Sequence, residues 1–124
     1  MAPPRIFFGQ VVCVANLLDP QGGNPKNRFA VVITPQEKID LGDTLDIVAI
    51  TGTFPEPPPW DHVPMPWHPE GKSANRFRKK CFAVCSWLDE VERDRVIESR
   101  GALPGKYLVK IQETLDELER RTFP

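Results

Sequence analysis

Two histidines and three cysteines give this sequence side chains that could ligate a metal ion or transfer a proton near neutral pH. His62 and His68, together with Cys81 and Cys85, supply the ligand types of a zinc site. On a strand, these two cysteines would lie about 13 Å apart, at ~3.3 Å per residue, whereas zinc ligands usually come from tight turns. We therefore predict buried thiols and an exposed loop position for His62, with no bound metal and no cofactor.

A basic segment could bind phosphate. Residues 72–80 contain five basic side chains and no acidic one, although the chain of 124 residues has a net charge of −1. A local basic patch can hold a short phosphate chain on a nearly neutral protein, whereas the low total charge argues against a protein coated with positive charge for binding long duplexes. Trp60, Trp67 and Phe77 lie near this segment and could stack on bases, or could equally belong to a core or a dimer contact.

Short β-strands must position these side chains. Runs of β-branched and aliphatic residues between glycine and proline turns predict strands at residues 11–15, 29–33, 45–51 and 81–88, and residues 89–96 are expected to continue into a final hairpin. The strand at 45–51 is apolar on both faces, which favours a central position in the sheet.

Two connections have distinctive compositions. Leu17 to Asn27 consists of turn-forming residues and predicts a flexible loop. Seven prolines lie between residues 54 and 69, which favours a rigid connection with at most an edge strand around residues 62–65.

A single helix is predicted after the break at Gly101 to Pro104. It carries one apolar stripe at three- and four-residue spacing, made of Leu108, Ile111, Leu115 and Leu118. Leu103 can cover the start of this helix. The pattern indicates a mostly-β fold, namely a compact, curved sheet with a C-terminal amphipathic helix packed on it.

Length and composition indicate a single domain spanning residues 1–124. No apolar run approaches the ~20 residues that span a bilayer, and the N-terminus does not have the pattern of a signal peptide. An odd number of cysteines makes a poor disulfide framework. We therefore expect a cytoplasmic protein without a membrane partner.

Four blocks of sequence occur in a characteristic order along the chain. The first joins Gly9-Gln10-Val11-Val12, a glycine-bearing loop and Asn27-Arg28-Phe29-Ala30-Val31-Val32-Ile33. The others are Val48-Ala49-Ile50-Thr51-Gly52-Thr53, Lys79-Lys80-Cys81-Phe82-Ala83-Val84-Cys85-Ser86-Trp87-Leu88, and Gly101-Ala102-Leu103-Pro104 with its following helix. Over nearly the whole chain these blocks resemble the MazF/PemK family of toxins, particularly its PemK branch. The resemblance implies a small SH3-like barrel, a homodimer, and a separate antitoxin whose complex with the toxin binds DNA.

The resemblance also implies an activity, which is metal-independent cleavage of single-stranded RNA by attack of a ribose 2′-hydroxyl on the adjacent phosphorus. It assigns catalysis to Arg28 and Thr51, because the planar guanidinium can grip two phosphoryl oxygens and the hydroxyl can donate to the same phosphate. Without the resemblance, Arg28 would be expected to be a solvated surface residue and Thr51 a turn former. The implied substrate-binding residues are Gly22, Gly23, Lys26, Thr53, Lys79, Lys80 and Ser86.

A second hypothesis is a non-catalytic RNA- or protein-binding module on the same fold. Phe29 stands where the family usually has a proline after the arginine. The stretch Val84-Cys85-Ser86 supplies a hydroxyl and a thiol where several active members have charged side chains. Both departures favour a protein that retained the fold and lost cleavage.

Overall fold

The computed structural model describes residues 5–122. They form six strands and two α-helices, with one turn of 3-10 helix at Arg93–Arg95. The strands are β1 (Gln10–Leu17), β2 (Lys26–Val32), β3 (Thr44–Thr51), β4 (His62–Pro64), β5 (Phe82–Glu92) and β6 (Val96–Ala102). The helices are α1 (Gln36–Leu41) and α2 (Gly105–Thr122).

All neighbouring strands are antiparallel, in one sheet with the order β4-β5-β3-β2-β1-β6. The mostly-β class, the inner position of β3 and the C-terminal helix are as predicted. A closed barrel is not formed, because β4 and β6 stand at opposite ends of the sheet across the described residues. The proline-rich segment contributes a strand of three residues, and Pro64 has no N–H to extend a ladder.

Both faces of the sheet are buried, since successive side chains of a strand point to opposite sides. Ala30 and Val32 of β2 pack in a cluster that includes Ile39 of α1. Phe29 and Val31 pack on the other side, in a cluster that includes Ile111 of α2. The continuous apolar runs of the inner strands follow from this arrangement.

Helix α2 places its predicted stripe against the sheet. Ile111 is fully buried, and Leu108, Leu115 and Leu118 are half-buried against the same cluster. Leu103 is buried before the helix, and its N–H donates to the carbonyl of Gly9 (2.9 Å). Neither helix among residues 5–122 has the length and apolar character needed to cross a membrane.

Three elements differ from the sequence expectation. Helix α1 was not predicted, because six residues with one buried side chain, Ile39, give no helical period. Strand β6 was not predicted as a separate strand, because only its first residue, Val96, is buried and it contains Gly101. Strand β2 begins at Lys26 in the predicted loop, since pairing of Lys26 with Leu17 extends it beyond the apolar run.

Candidate nucleic-acid interface

One end of the sheet collects most of the predicted site residues. Strand β1 ends there and β2 begins there, while the neighbouring β3 ends and β5 begins at the same side, because all these strands are antiparallel. The residues brought to this end are Gly22, Gly23, Lys26, Arg28, Thr51, Thr53, Lys79 and Lys80.

Arg28 and Thr51 lie on the same face of neighbouring strands. The β2–β3 register pairs Ala30 with Ala49 and Val32 with Ile47. This pairing ends at Ala30 and Ala49, and Arg28 and Thr51 lie two residues beyond them, with side chains on the same face of the sheet by strand alternation. The catalytic roles that the sequence resemblance implied for these two residues stay a prediction.

Arg28 is half-buried and not the solvated surface residue that its sequence position alone suggested. Its Nε donates to the carbonyl of Leu17 (3.0 Å), and its Nη2 donates to the carbonyl of Asn24 (2.8 Å). Its guanidinium carbon lies 5.1 Å from the centre of the Trp87 ring. These two hydrogen bonds link the two ends of the β1–β2 loop and hold the Arg28 guanidinium in one orientation.

The β1–β2 loop is more ordered than its composition suggested. The Asp19 carboxylate accepts hydrogen bonds from the N–H groups of Gln21 (3.0 Å) and Gly23 (2.9 Å) and from the Asn24 amide (3.1 Å). The N–H of Gly23, more than any other group, holds the pKa of Asp19 below its usual range. Gly22 has a φ of 85°, a left-handed conformation that glycine adopts without steric cost.

Thr51 and Thr53 form a closed local turn. The Thr51 hydroxyl donates to the carbonyl of Thr53 (2.9 Å), and the Thr53 N–H donates back to the Thr51 hydroxyl (3.1 Å). The hydroxyl retains a second lone pair, but its proton is engaged. A role in donating to a phosphate requires this turn to open or the proton to rotate.

The basic segment divides into two parts. Lys80 lies 5.8 Å from the ring centres of both Phe54 and Phe82, and Phe82 pairs with Thr51 across β3 and β5. Lys79 instead lines a cleft with Arg76 and Arg78 on the opposite face of the sheet. The predicted binding residues Lys79 and Lys80 therefore serve different surfaces.

Ser86 and His62 belong to a third group, centred on Asp61. Its carboxylate accepts from His62 (Nδ1 to Oδ1, 2.8 Å) and from Ser86. Burial raises the pKa of Asp61, but these two hydrogen bonds outweigh it and the net pKa is lowered. The prediction of an exposed loop position for His62 is wrong, because it is the first residue of β4 and its side chain is 12% exposed.

The cysteines are buried free thiols, as predicted. Burial raises the pKa of Cys81 to about 11, and burial together with the charge of Asp61 raises the pKa of Cys85 to about 12. Within residues 5–122, no group of three His, Cys, Asp or Glu side chains could hold a metal ion. The raised pKa values of Cys81 and Cys85 keep these two thiols protonated near neutral pH, which makes them poor nucleophiles.

Of the three aromatic candidates, Phe77 is a core residue. Trp60 is 48% exposed but lies under Arg121, whose guanidinium carbon is 3.9 Å from the ring centre. Trp67 is 45% exposed.

Sequence reasoning missed Arg100 and Asn75. The Arg100 guanidinium carbon lies 4.6 Å from the centre of the Phe29 ring, in the cleft that also contains Arg76. Asn75 is fully buried and donates to carbonyls of β6. Nothing in a single sequence signals these contacts, because they join segments about 25 and 70 residues apart along the chain.

Comparison with solved structures identifies the fold as that of the MazF toxins. MazF from Deinococcus radiodurans superposes with a TM-score of 0.68 at 18% identity, covering 90% of this chain and 93% of that one. Mycobacterium tuberculosis toxin MazF-mt6 gives a TM-score of 0.66 at 14% identity, covering 86% and 93%. An endoribonuclease from Mycobacterial species in complex with its cognate antitoxin gives 0.67 at 13% identity, covering 97% and 98%.

The resemblance found in the sequence is thus confirmed at the level of the fold. No protein-family model matches the chain, and no curated protein matches it. The match extends over nearly the full length of both chains, so the sheet and α2 are all part of the shared architecture.

Proposed function

We propose that this protein is an endoribonuclease toxin that cuts single-stranded RNA without a metal ion and is neutralised by a cognate antitoxin. The observation that carries the proposal is that Arg28 and Thr51 lie on one face of neighbouring strands, at the end of the sheet where Lys26 and Lys80 also lie. The MazF fold supports it, because similar structures include toxins in complex with an antitoxin.

The proposed reaction uses a nucleophile of the substrate. The 2′-oxygen of a ribose bonds to the adjacent phosphorus while the bond from phosphorus to the 5′-oxygen of the next nucleotide breaks. The 2′-hydroxyl releases its proton, and the leaving 5′-oxygen takes one up. The products are a 2′,3′-cyclic phosphate and a 5′-hydroxyl.

Arg28 stabilises the negative charge on the phosphoryl oxygens in this scheme. Two of its five N–H groups already donate to the Leu17 and Asn24 carbonyls, which leaves three for a substrate. A guanidinium held in place by its own chain costs no reorganisation when charge builds up in the transition state. It is unsuited to act as a base, because a guanidinium has only N–H donors and no acceptor for a proton. Thr51 assists by donating to the same phosphate.

The proposal includes a single functional domain and a homodimer. Leu88 (54% exposed) and Val109 (58% exposed) are large apolar side chains at the surface. Leu88 borders an apolar groove of about 390 Å³ together with Leu115 and Leu118 of α2. These features support contact with a second copy or with an antitoxin.

The rival proposal is a non-catalytic binding module. Its supporting observation is that Arg28 and the Thr51 proton are both engaged within the chain. In this version the arginine holds the β1–β2 loop and the threonine closes a turn, and neither acts on RNA.

Cleavage in the presence of a chelator decides between the two. A mixture of long single-stranded RNAs is incubated with the protein in excess EDTA, and the fragment ends are mapped. We expect fragments whose 5′ ends accept phosphate from a kinase without prior phosphatase treatment. Cleavage that requires magnesium would refute the mechanism, and an absence of cleavage on all RNAs would favour the binding module.

A further inference from the structure

A second cationic surface lies on the sheet face opposite Arg28. Phe29 follows Arg28 on β2, so its side chain points to the other side of the sheet. There it borders a cleft of about 360 Å³ with Phe77 and Arg100. A neighbouring cavity of about 510 Å³ shares Arg76, Arg78 and Arg100 with this cleft.

We propose that this cleft, the Phe29–Arg100 cleft, binds one nucleotide of a single-stranded RNA away from the cleavage site. The base stacks on the outer face of the Arg100 guanidinium, and the adjoining phosphates contact Arg76 and Arg78. The proposal rests on the proposed function for its choice of RNA as the ligand.

Stacking is supported by the geometry of the aromatic layer. The Phe29 and Phe77 rings meet edge to face, with centroids 5.4 Å apart and planes at 86°. Arg100 covers Phe29 at 4.6 Å and retains 22% side-chain exposure. Unpaired RNA bases stack on arginine planes as well as on aromatic rings.

The guanidinium of Arg100 is fixed before any ligand arrives. Its Nε donates to the Glu98 carboxylate (2.8 Å), and its Nη1 donates to the carbonyls of Asn75 (3.4 Å) and Arg76 (3.3 Å). The buried amide of Asn75 donates in turn to the carbonyls of Arg100 and Ala102 (3.0 Å each). Hydrogen bonds in both directions therefore join the segment at Asn75 and Arg76 to strand β6.

Arg76 has a backbone conformation that favours a functional interpretation. Its φ is 61°, in the left-handed region that non-glycine residues rarely adopt. Such strain persists where the surrounding structure fixes it, and it concentrates at binding sites. Asn75 supplies that constraint here.

The charge of the two cavities favours an anion. Arg76, Arg78, Lys79 and Arg100 line them against Glu70 and Glu98. Glu98 is paired with Arg100, and Glu70 lies 3.7 Å from Lys72. An acidic segment of a protein partner would satisfy the charge but would not use the flat face of Arg100.

The test measures binding of two uncleavable probes by fluorescence anisotropy. One is a decamer of 2′-O-methyl uridine, whose riboses lack the attacking hydroxyl, and the other is an abasic sugar-phosphate chain of equal length. Arg100→Lys keeps the charge and removes the flat stacking surface. We expect it to weaken uridine binding about tenfold and to leave abasic binding within twofold. Arg78→Ala should weaken both and lower the salt slope by about one.

Arg121→Lys is the matched control, because Arg121 also stacks on an aromatic ring and lines neither cavity. It should leave binding of both probes unchanged. Phe29→Leu, which removes the ring beneath Arg100, should reproduce the effect of Arg100→Lys. Melting curves establish that each variant is folded.

Several outcomes overturn the proposal. Equal loss of both probes in Arg100→Lys would mean an anion site without a base, as for an acidic protein partner. If folded Arg100→Lys and Phe29→Leu both bind the uridine probe as tightly as the parent, the cleft does not bind RNA. This conclusion would hold even if the parent cleaves RNA. Selective loss of uridine binding would uphold the cleft even if the parent never cleaves.

Discussion

Replacing Arg28 with lysine separates a catalytic from a structural role. Lysine keeps one positive charge but cannot present two N–H groups to one phosphate. We expect Arg28→Lys to lower the single-turnover cleavage rate at least about a hundredfold, which is typical for the loss of one oxyanion donor and corresponds to ~2.7 kcal/mol. RNA affinity should change much less, because a point charge still attracts the ground-state phosphate.

The same substitution should also reduce stability. Arg28 donates to the Leu17 and Asn24 carbonyls, and each hydrogen bond from a charged donor contributes about 1.5–3 kcal/mol when buried. Arg28 is half-buried and lysine can retain one bond, so we expect a loss of about 1–2 kcal/mol and a fall in Tm of about 4–8 °C. A domain stable by about 5 kcal/mol or more would still be over 99% folded at 25 °C, so unfolding cannot explain a hundredfold slower reaction.

Arg95→Lys provides a matched control for this loss of stability. The Arg95 guanidinium donates to the carbonyls of Ala15 (2.9 Å from Nη2) and Asn16 (2.7 Å), near the same end of β1. It should lower Tm by a similar amount and leave the cleavage rate nearly unchanged. If Arg28→Lys cleaves within tenfold of the parent, or if both variants slow equally, the catalytic assignment of Arg28 is wrong.

Three further outcomes are expected. Thr51→Val, which removes the hydroxyl and keeps the shape, should slow cleavage at least about tenfold in the same single-turnover assay, and an unchanged rate would leave Thr51 a turn former. Light scattering at micromolar concentration should give the mass of a homodimer, and a monomer mass would contradict the proposed assembly. Stability to urea should decrease above pH 9, because burial raises the pKa of Cys81 to about 11 and that of Cys85 to about 12. The contribution of each protonated thiol to the free energy of unfolding is fully present below the unfolded pKa near 9. It is lost as the pH rises, by about 1.4 kcal/mol per thiol between pH 8 and pH 10. Cys85→Ala should reduce this pH-dependent loss by the share of one thiol, and an equal loss in that variant would contradict the reasoning.

The sequence predicted the elements whose apolar pattern lies within one segment of the chain. The apolar run that includes Val48 predicted a strand buried on both faces, and the stripe that includes Ile111 predicted the helix that covers one of them. Helix α1 and strand β6 could not be predicted in the same way, because their stability comes from the neighbours they pack against rather than from their own periodicity.

The sequence could suggest candidate site residues, but it could not indicate the hydrogen bonds that hold them. A resemblance in order and spacing selected Arg28 and Thr51, which lie on the same face of neighbouring strands. It could not indicate that Arg28 is tied to the carbonyls of Leu17 and Asn24, since backbone carbonyls carry no sequence signature. His62 was misplaced for a similar reason, because its burial depends on Asp61 and the pairing of β4 with β5.

Phe29 has one interpretation in the sequence and another in the fold. In the sequence it is a departure from the proline usual in the family, and it favours a protein that lost activity. In the fold, residue 29 pairs with Cys13 in the β1–β2 ladder, where a proline would have no N–H to donate. Its ring supports Arg100 on the face opposite Arg28. Consecutive residues of β2 therefore serve two proposed sites, with cleavage on one face and a bound nucleotide on the other. Under the two proposals Phe29 supports a side chain that binds RNA, and Arg28 remains on the other face of the strand.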